Sequence, residues 1–350
     1  MRVLVTGHLG YVGTILVPML LEHGHEVFGL DSDLFRRCTF LPGRIRAVLG
    51  AEKDVRDVEE GDLRGFEAVL HLAALSNDPL GDLDPEVTME INHRASVRLA
   101  TLARRAGVER FVFSSSCSNY GAAGDDWLTE ESPFNPVTPY GIAKVRAESE
   151  IAPLATPDFT PVLLRSATAF GVSPRLRFDL AVNNLVAWAL TTGRIFLKSD
   201  GSAWRPFVHV SDMARAFVAV LEAPAAKVRG EAFNVGSTPE NLRIREVAAI
   251  VGEVVPDCKV EFAEGASPDK RCYRVNCDKL PRALPAYRAE WSVRRGVEEL
   301  YATYRAQGLS LAEFEGPAFQ RVAHVKKLLA EGVLDPTLRH ARRDPAKATG

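Results

Sequence analysis

Val3-Leu4-Val5-Thr6-Gly7-His8-Leu9-Gly10-Tyr11-Val12-Gly13 is the stretch that decides the fold. A short apolar run stopping at a glycine has the pattern of a buried strand, predicted over Arg2–Thr6. Gly7, Gly10 and Gly13 follow as GxxGxxG. Val12, Leu16, Met19 and Leu20 then recur at helical spacing, predicting a helix over Tyr11–His23 that ends near Gly24. A glycine turn between strand and helix suits a pyrophosphate. No Cβ blocks the backbone's approach, and the helix start offers free N–H groups at its positive dipole end. A second strand, Glu26–Leu30, leads to Asp31. A carboxylate there accepts hydrogen bonds from ribose hydroxyls and repels a 2′-phosphate, which favours NAD over NADP. Arg36 and Arg37 lie just beyond and argue the other way, since a guanidinium accommodates that phosphate. Asp54 and Val55, after the expected third strand, are placed to meet the adenine.

Working outward, strands are predicted at Ala68–Ala73, Glu109–Ser114 and Val162–Arg165, alternating with helices at Ser96–Ala106 and Tyr140–Ile151. Alternation of this kind makes βαβ units. The predicted fold class is therefore α/β, a Rossmann-type doubly wound parallel sheet with a smaller mixed α/β C-terminal substrate lobe. The texture changes after Gly171. Val172–Phe178 reads as an ordered loop. Short strands at Phe207–Val210, Phe233–Val235 and Val260–Phe262 mix with helices at Ser211–Leu221 and Ile244–Val254. The expected division is 1–171 for the dinucleotide-binding domain, with returning segments at about 203–240, then 172–306 for the substrate lobe and 307–350 for a helical extension. In that extension Ala323–Glu331 reads as a helix and Arg339–Gly350 as a polar tail. Leu328, Leu329 and Val333 are expected to pack on the substrate lobe or a second subunit.

Composition narrows the function classes. With 46% hydrophobic and 25% charged residues in 350, the chain is neither disordered nor fibrous. Lys and Arg (43) nearly balance Asp and Glu (45), so no whole-protein basic field exists to hold nucleic acid. No apolar run approaches the roughly 20 residues of a membrane span, and the opening residues lack the pattern of a signal peptide. The five cysteines, Cys38, Cys117, Cys258, Cys272 and Cys277, form no CxxC pair and no metal-ligand spacing. Reduced thiols in a cytoplasmic enzyme are expected, with no bound metal.

Tyr140 and Lys144 stand four apart in a helical stretch and so share a face. A phenol is a poor base at neutral pH, and a nearby ammonium makes its anion accessible. Such a pair can exchange a proton with an alcohol while a nicotinamide takes the hydride. Ser114-Ser115-Ser116 ends the preceding strand, where open α/β sheets place their ligands.

Thr6-Gly7-x-x-Gly10-x-x-Gly13, His71-Leu72-Ala73-Ala74, Ser114-Ser115-Ser116-Cys117-Ser118-Asn119-Tyr120-Gly121 and Pro139-Tyr140-Gly141-Ile142-Ala143-Lys144 together resemble the extended short-chain dehydrogenase/reductase family. The nearer resemblance is to its NAD-dependent nucleotide-sugar epimerase/dehydratase branch. Asn183-Asn184-Leu185, Arg205-Pro206-Phe207-Val208-His209-Val210 and Phe233-Asn234-Val235-Gly236 continue it over about residues 1–305. The resemblance implies Tyr140 as acid/base, Lys144 as its electrostatic partner and ribose contact, and Ser116 as the hydroxyl orienting the substrate. It implies that Gly7, Gly10, Tyr11, Val12, Gly13, Asp31, Asp54, Val55, Leu72, Ala73 and Ala74 line the NAD site, with Asn92 bracing it. It puts Ser76, Cys117, Ser118, Asn184, Arg205 and Arg271 toward a nucleotide-diphosphate sugar, and it implies a homodimer through two helices of each copy.

Departures from the pattern shape the functional expectation. Family dehydratases resemble a Thr-Asp-Glu run where this chain has Ser116-Cys117-Ser118, and neither Cys117 nor Ser118 is a good general acid at neutral pH. The expected activity is NAD-dependent nucleotide-sugar epimerisation through transient oxidation. The alternative is an NAD(P)H-dependent 4-keto-sugar reductase; a sugar dehydratase and a non-enzymatic dinucleotide sensor rank lower. Cys117 is expected to pack beneath the cofactor, His8 to point to solvent, and His209 to be a buried, hydrogen-bonded histidine. Arg175 and Arg177 are placed near the substrate cleft to read an anionic group.

Overall fold

The computed structural model describes residues 1–76, 78–121, 126–197, 199–264 and 272–341. Seven parallel strands form its central sheet: β1 (Arg2–Thr6), β2 (Glu26–Asp31), β3 (Leu49–Glu52), β4 (Ala68–His71), β5 (Arg110–Ser116), β6 (Thr160–Ser166) and β7 (Ala232–Val235). Their spatial order is 3-2-1-4-5-6-7. The strand order reverses between β1 and β4, and sheets of this kind bind ligands in the crevice at the carboxyl ends there. The strands read as apolar runs because both faces are covered. On one face Leu16, Val17 and Leu20 of the helix Gly13–Glu22 pack with Phe217 and Leu221 of the helix Val210–Glu222. On the other face Leu99 of the helix Ala95–Arg105 and Ala147 and Ile151 of the helix Pro139–Ile151 pack with Phe111 and Leu163.

Between β6 and β7 the chain leaves the sheet and builds most of a second hydrophobic centre around Phe170, Phe178, Leu185 and Phe207. Val247, Val297 and Tyr304, from helices after β7, complete it. A small sheet of Thr168–Phe170, Trp204–His209 and Asn241–Arg243 lies here, as does a parallel pair of Arg194–Leu197 with Lys259–Phe262.

Element ends differ from expectation for local reasons. The first helix starts at Gly13, because residues 10–12 are used in the glycine turn. The helix at Ala95 is preceded by a π-turn, Glu90–Arg94. From that turn Asn92 is turned inward: its Oδ1 accepts from Leu75 N at 2.8 Å and its Nδ2 donates to Leu75 O at 2.9 Å.

The C-terminal extension corrects an expectation. Phe314 does pack on the second lobe, against Trp188 and Phe178. The helix Arg321–Ala330 does not: Val325 and Leu328 join the core beside the seven-stranded sheet, with Leu30, Val55 and Val58. The extension therefore crosses from one lobe to the other. Arg339 and His340, expected in a loose tail, are engaged. Arg339 pairs with Asp57, and His340 Nε2 lies 3.0 Å from Ser32 O. The rest of that tail lies outside the described residues.

Candidate active site

The carboxyl ends of β1, β2, β4 and β5 open onto one cleft, closed on its far side by the second lobe. The glycine turn forms its floor. Gly7 has φ +75°, and a Cβ there would come within 2.7 Å of Ala73 N; a Cβ on Gly13 would come within 2.3 Å of Gly7 O. Only glycine lets the backbone fold this closely, so the cradle is shaped for a flat, anionic ligand. The approach of Gly7 to Ala73 is held by Thr6, whose hydroxyl lies 2.7 Å from His71 Nδ1; His71 Nε2 lies 2.8 Å from the Ser96 hydroxyl. Burial, helped by the Lys144 charge, pushes His71 down to about 3, so this bridge is a neutral imidazole at neutral pH.

Asp31 faces the cleft with its carboxylate accepting from Leu9 N and Asp33 N, both at 2.9 Å. Burial raises its pKa against the pull of those two donors. The two arginines that argued for a 2′-phosphate are committed elsewhere. Arg36 donates to Asp33 and Glu52 at 2.7 Å each, and Arg37 pairs with Glu331 at 3.3 Å. Neither lines the cleft. His8 departs from expectation: its ring lies against Gly29, where a Cβ would come within 2.3 Å of it, and is 4.0 Å from Asp31. The absence of a side chain at Gly29 makes room for it.

The candidate acid–base residues line the same cleft. Thr138 caps the helix Pro139–Ile151, accepting from Gly141 N at 3.2 Å, and Pro139 takes the first helical position, where a missing N–H costs nothing. This cap sets the register in which Tyr140 faces the cleft and Lys144 sits one turn below. Tyr140 and Ser116 both line the cleft. Burial pushes Tyr140 up to about 12, against a pull downward from the Ser116 hydroxyl. Lys144 is buried and donates to Ser114 O at 2.7 Å, with its Nζ 4.6 Å from the Phe113 ring and 5.9 Å from that of Tyr140. Burial drives it down to about 7, with Glu148 opposing.

Glu148 is one further turn along the same face, and sequence reasoning missed it. Its carboxylate takes hydrogen bonds from Ser115, from Asn119 at 2.9 Å and from Arg165 at 2.8 and 3.0 Å. Arg165 goes on to Tyr120 OH at 3.1 Å, which donates to Asn234 at 2.8 Å. This buried network ties the helix Pro139–Ile151 to β5, β6 and β7. The signal was present as Tyr140-x-x-x-Lys144-x-x-x-Glu148, but a carboxylate in mid-helix reads as solvated surface.

The remaining candidates separate. Tyr11, Val12, Asp54, Val55, Leu72, Ala73, Ala74, Ser76, Ser118 and Arg205 line the cleft with Gly7, Gly10, Gly13 and Asp31. Asp54 also serves Arg56, which reaches it at 2.7 Å. Cys117 does not reach the cleft: it is fully buried with Tyr120 and Cys277, its Sγ donating to Arg165 O at 3.1 Å. Asn184 does not line it either, since its amide holds Phe178 O at 2.9 Å. Arg271 lies outside the described residues. Arg175 and Arg177 are paired, with Asp33 at 2.8 Å and Asp179 at 2.5 Å, and of the two only Arg177 lines the cleft, donating to the Ser76 hydroxyl at 3.1 Å. His209 is buried, 2.9 Å from Glu299 and stacked on Trp291. Asp78, Thr138, Tyr273, Arg321 and Leu338 line the cleft without having been singled out. Among the described residues, no group of three or more potential metal ligands occurs, and no helix is long and apolar enough to cross a membrane.

Comparison with known proteins agrees with this geometry. The chain is 30% identical over 320 residues to UDP-glucose 4-epimerase of Mycolicibacterium smegmatis, an alignment covering 87% of this chain and 99% of that protein. It is 28% identical over 331 residues to UDP-glucose 4-epimerase of Bacillus subtilis, covering 86% and 95%. The solved structure of MoeE5 in complex with UDP-glucose and NAD superposes with a TM-score of 0.74 at 27% identity, covering 88% of this chain and all of that one. That of TunA, an NAD-dependent NDP-hexosamine 5,6-dehydratase, gives 0.77 at 25%, covering 87% and 98%. With residues 3–236 matched by the family's model, the dinucleotide cradle and the Ser116, Tyr140 and Lys144 cluster sit in a chain that belongs to the NAD dependent epimerase/dehydratase family.

Proposed function

We propose that the protein is a nucleotide-sugar epimerase working by transient oxidation of a sugar carbinol, with C4 the carbon inverted. The observation that carries this reading is the juxtaposition of Tyr140 and Ser116, over Lys144, with the glycine cradle in one cleft. The curated UDP-glucose 4-epimerases at 28–30% identity support it. Gly7, Gly10, Gly13, Asp31 and Ala73 would hold NAD, which when bound supplies the hydride acceptor and, for the reverse step, the donor. The protein's own part is proton handling and orientation. The sugar hydroxyl would sit between the Ser116 and Tyr140 oxygens, its proton passing to Tyr140 as the carbinol is oxidised. A charged Lys144 lowers the cost of the phenolate through its field, although its own burial opposes that charge. The keto sugar then turns over, and Tyr140 returns the proton to the opposite epimer, leaving composition and mass unchanged.

The dehydratase pattern places an acidic pair at the positions of residues 117 and 118. Cys117 is buried, its thiol pushed well up by desolvation, which argues against dehydration. The test is incubation with a panel of UDP-, dTDP-, GDP- and CDP-sugars with NAD, following product mass and absorbance at 340 nm. An isomer of equal mass with no net absorbance change is expected. Loss of water, or stoichiometric consumption of reduced cofactor, would overturn the reading.

A further inference from the structure

Arg321 stands out among the residues lining the cleft. It is 5% exposed, and its guanidinium stacks on the Phe35 ring at 3.8 Å. Its Nη2 reaches only the Arg175 carbonyl, at 3.4 Å, and its Nε has no hydrogen-bond partner. The neighbouring arginines each have a carboxylate, Asp33 for Arg175 and Asp179 for Arg177. Among the described residues Arg321 has none. A buried guanidinium cannot shed its proton at neutral pH; the carboxylate whose charge reaches it, Asp179, is already paired with Arg177, so the site calls for a further anion. The side chain is placed by the extension, whose helix is anchored by Val325 and Leu328 in the core and by His324 Nε2 at 3.2 Å from Leu34 O. Farther along, Leu338 enters the same cleft beside Asp54, fixed by Arg339 on Asp57 and by Arg56 donating to Thr337 O at 2.9 Å.

We infer that the C-terminal extension is part of the dinucleotide site, with Arg321 the cation for the cofactor's pyrophosphate and Leu338 closing the adenosine end. This rests on the assignment of the cleft to NAD. Two observations point to the pyrophosphate over other anions. Arg321 donates to the carbonyl of Arg175, two residues after Ser173, whose hydroxyl donates to Tyr11 O in the glycine turn at 2.7 Å, so the guanidinium lies beside the cradle. Asp31 lines the cleft, and a carboxylate there would repel a 2′-phosphate.

The test is calorimetric titration of the full-length protein, stripped of dinucleotide, with ADP-ribose, adenosine and UDP, for the parent, R321Q and R321K. Loss of one charge-assisted contact should weaken ADP-ribose roughly 10- to 100-fold in R321Q. R321K should recover part of the loss, and adenosine and UDP should bind as in the parent. A second variant, L338D, should weaken ADP-ribose and adenosine alike, because it acts at the adenosine end. Unchanged ADP-ribose binding in R321Q overturns the inference while leaving the NAD assignment intact. Weakening of UDP in place of ADP-ribose overturns it in favour of a substrate contact. Failure of the parent to bind ADP-ribose overturns both this inference and the assignment beneath it. If R321Q does not fold, R321K and L338D decide by the same comparisons.

Discussion

Replacing Lys144 by methionine should alter the pH dependence of stability in a direction fixed by its burial. In the folded protein burial lowers this lysine from 10.5 to about 7. Below pH 7 both folded and unfolded chains carry the proton, and the cost of burying the charge is present in full. Between pH 7 and 10.5 the unfolded chain keeps a proton that the folded chain has released, so stability rises with pH across that window. At roughly 1.4 kcal/mol per pH unit, the full cost is about 5 kcal/mol, of which about 2 kcal/mol is relieved between pH 7 and 9. The hydrogen bond from Nζ to Ser114 O, 2.7 Å, is lost in K144M, leaving a buried carbonyl at a cost of about 1–3 kcal/mol. That cost does not vary with pH, and other titrating groups are common to both proteins. Urea unfolding of the cofactor-stripped parent and K144M at pH 7 and pH 9 isolates the lysine. The parent should gain about 2 kcal/mol relative to the variant on going from pH 7 to 9. A difference that stays constant, or that moves against the parent, would refute the claim that Lys144 is held as a strained buried cation.

Y140F should reduce epimer formation by roughly 10²- to 10⁴-fold, as expected for a lost acid/base, while calorimetry still registers NAD binding close to that of the parent. E148Q should cost about 3–5 kcal/mol in urea unfolding, because Arg165 is left buried opposite a neutral amide; a loss below 1 kcal/mol would mean the network is dispensable. G7A should lower the melting temperature and abolish ADP-ribose binding, since φ +75° and a Cβ 2.7 Å from Ala73 N must both be relieved by moving the cradle.

The parts legible in the sequence were those whose physics is local. A strand that stops at Gly7 and a helix that follows the glycine turn, though it starts at Gly13 and not at the expected Tyr11, need only near neighbours in the chain, and so does the four-residue spacing of Tyr140 and Lys144. The doubly wound sheet followed from alternation, because covered parallel strands must be apolar throughout. What escaped depended on distant partners. Glu148 is a buried ion only because Arg165, on the sheet, faces it. Cys117 directly follows Ser116, yet the tight turn after β5 sends its thiol into the core with Tyr120 while Ser116 faces the cleft. Arg36 and Arg37 read as phosphate ligands until Asp33, Glu52 and Glu331 are seen to claim them. The apolar stripe of Val325 and Leu328 announced a helix, but a stripe does not say which surface it meets. That was decided by Leu30 and Val55, near the other end of the chain.

Two buried cations, Lys144 one turn below Tyr140 and Arg321 in the cleft wall, answer the same problem differently. Lys144 and Arg321 are both buried, and burial lowers both, the arginine to about 10 and the lysine to about 7. At neutral pH the lysine sits near its midpoint and can relieve the cost of burial by releasing its proton. The arginine cannot, since 10 is still far above neutrality, so its cost is relieved only by an anion placed against it. The lysine's charge is thus adjustable beside a group that must gain and lose a proton, while the arginine's is fixed where a permanently charged ligand is to be held. Exchanging the two residue types would impair both ends. An arginine at position 144 would keep its charge whatever the state of Tyr140, and a lysine at 321 would lose part of the reason to retain an anion when it is desolvated.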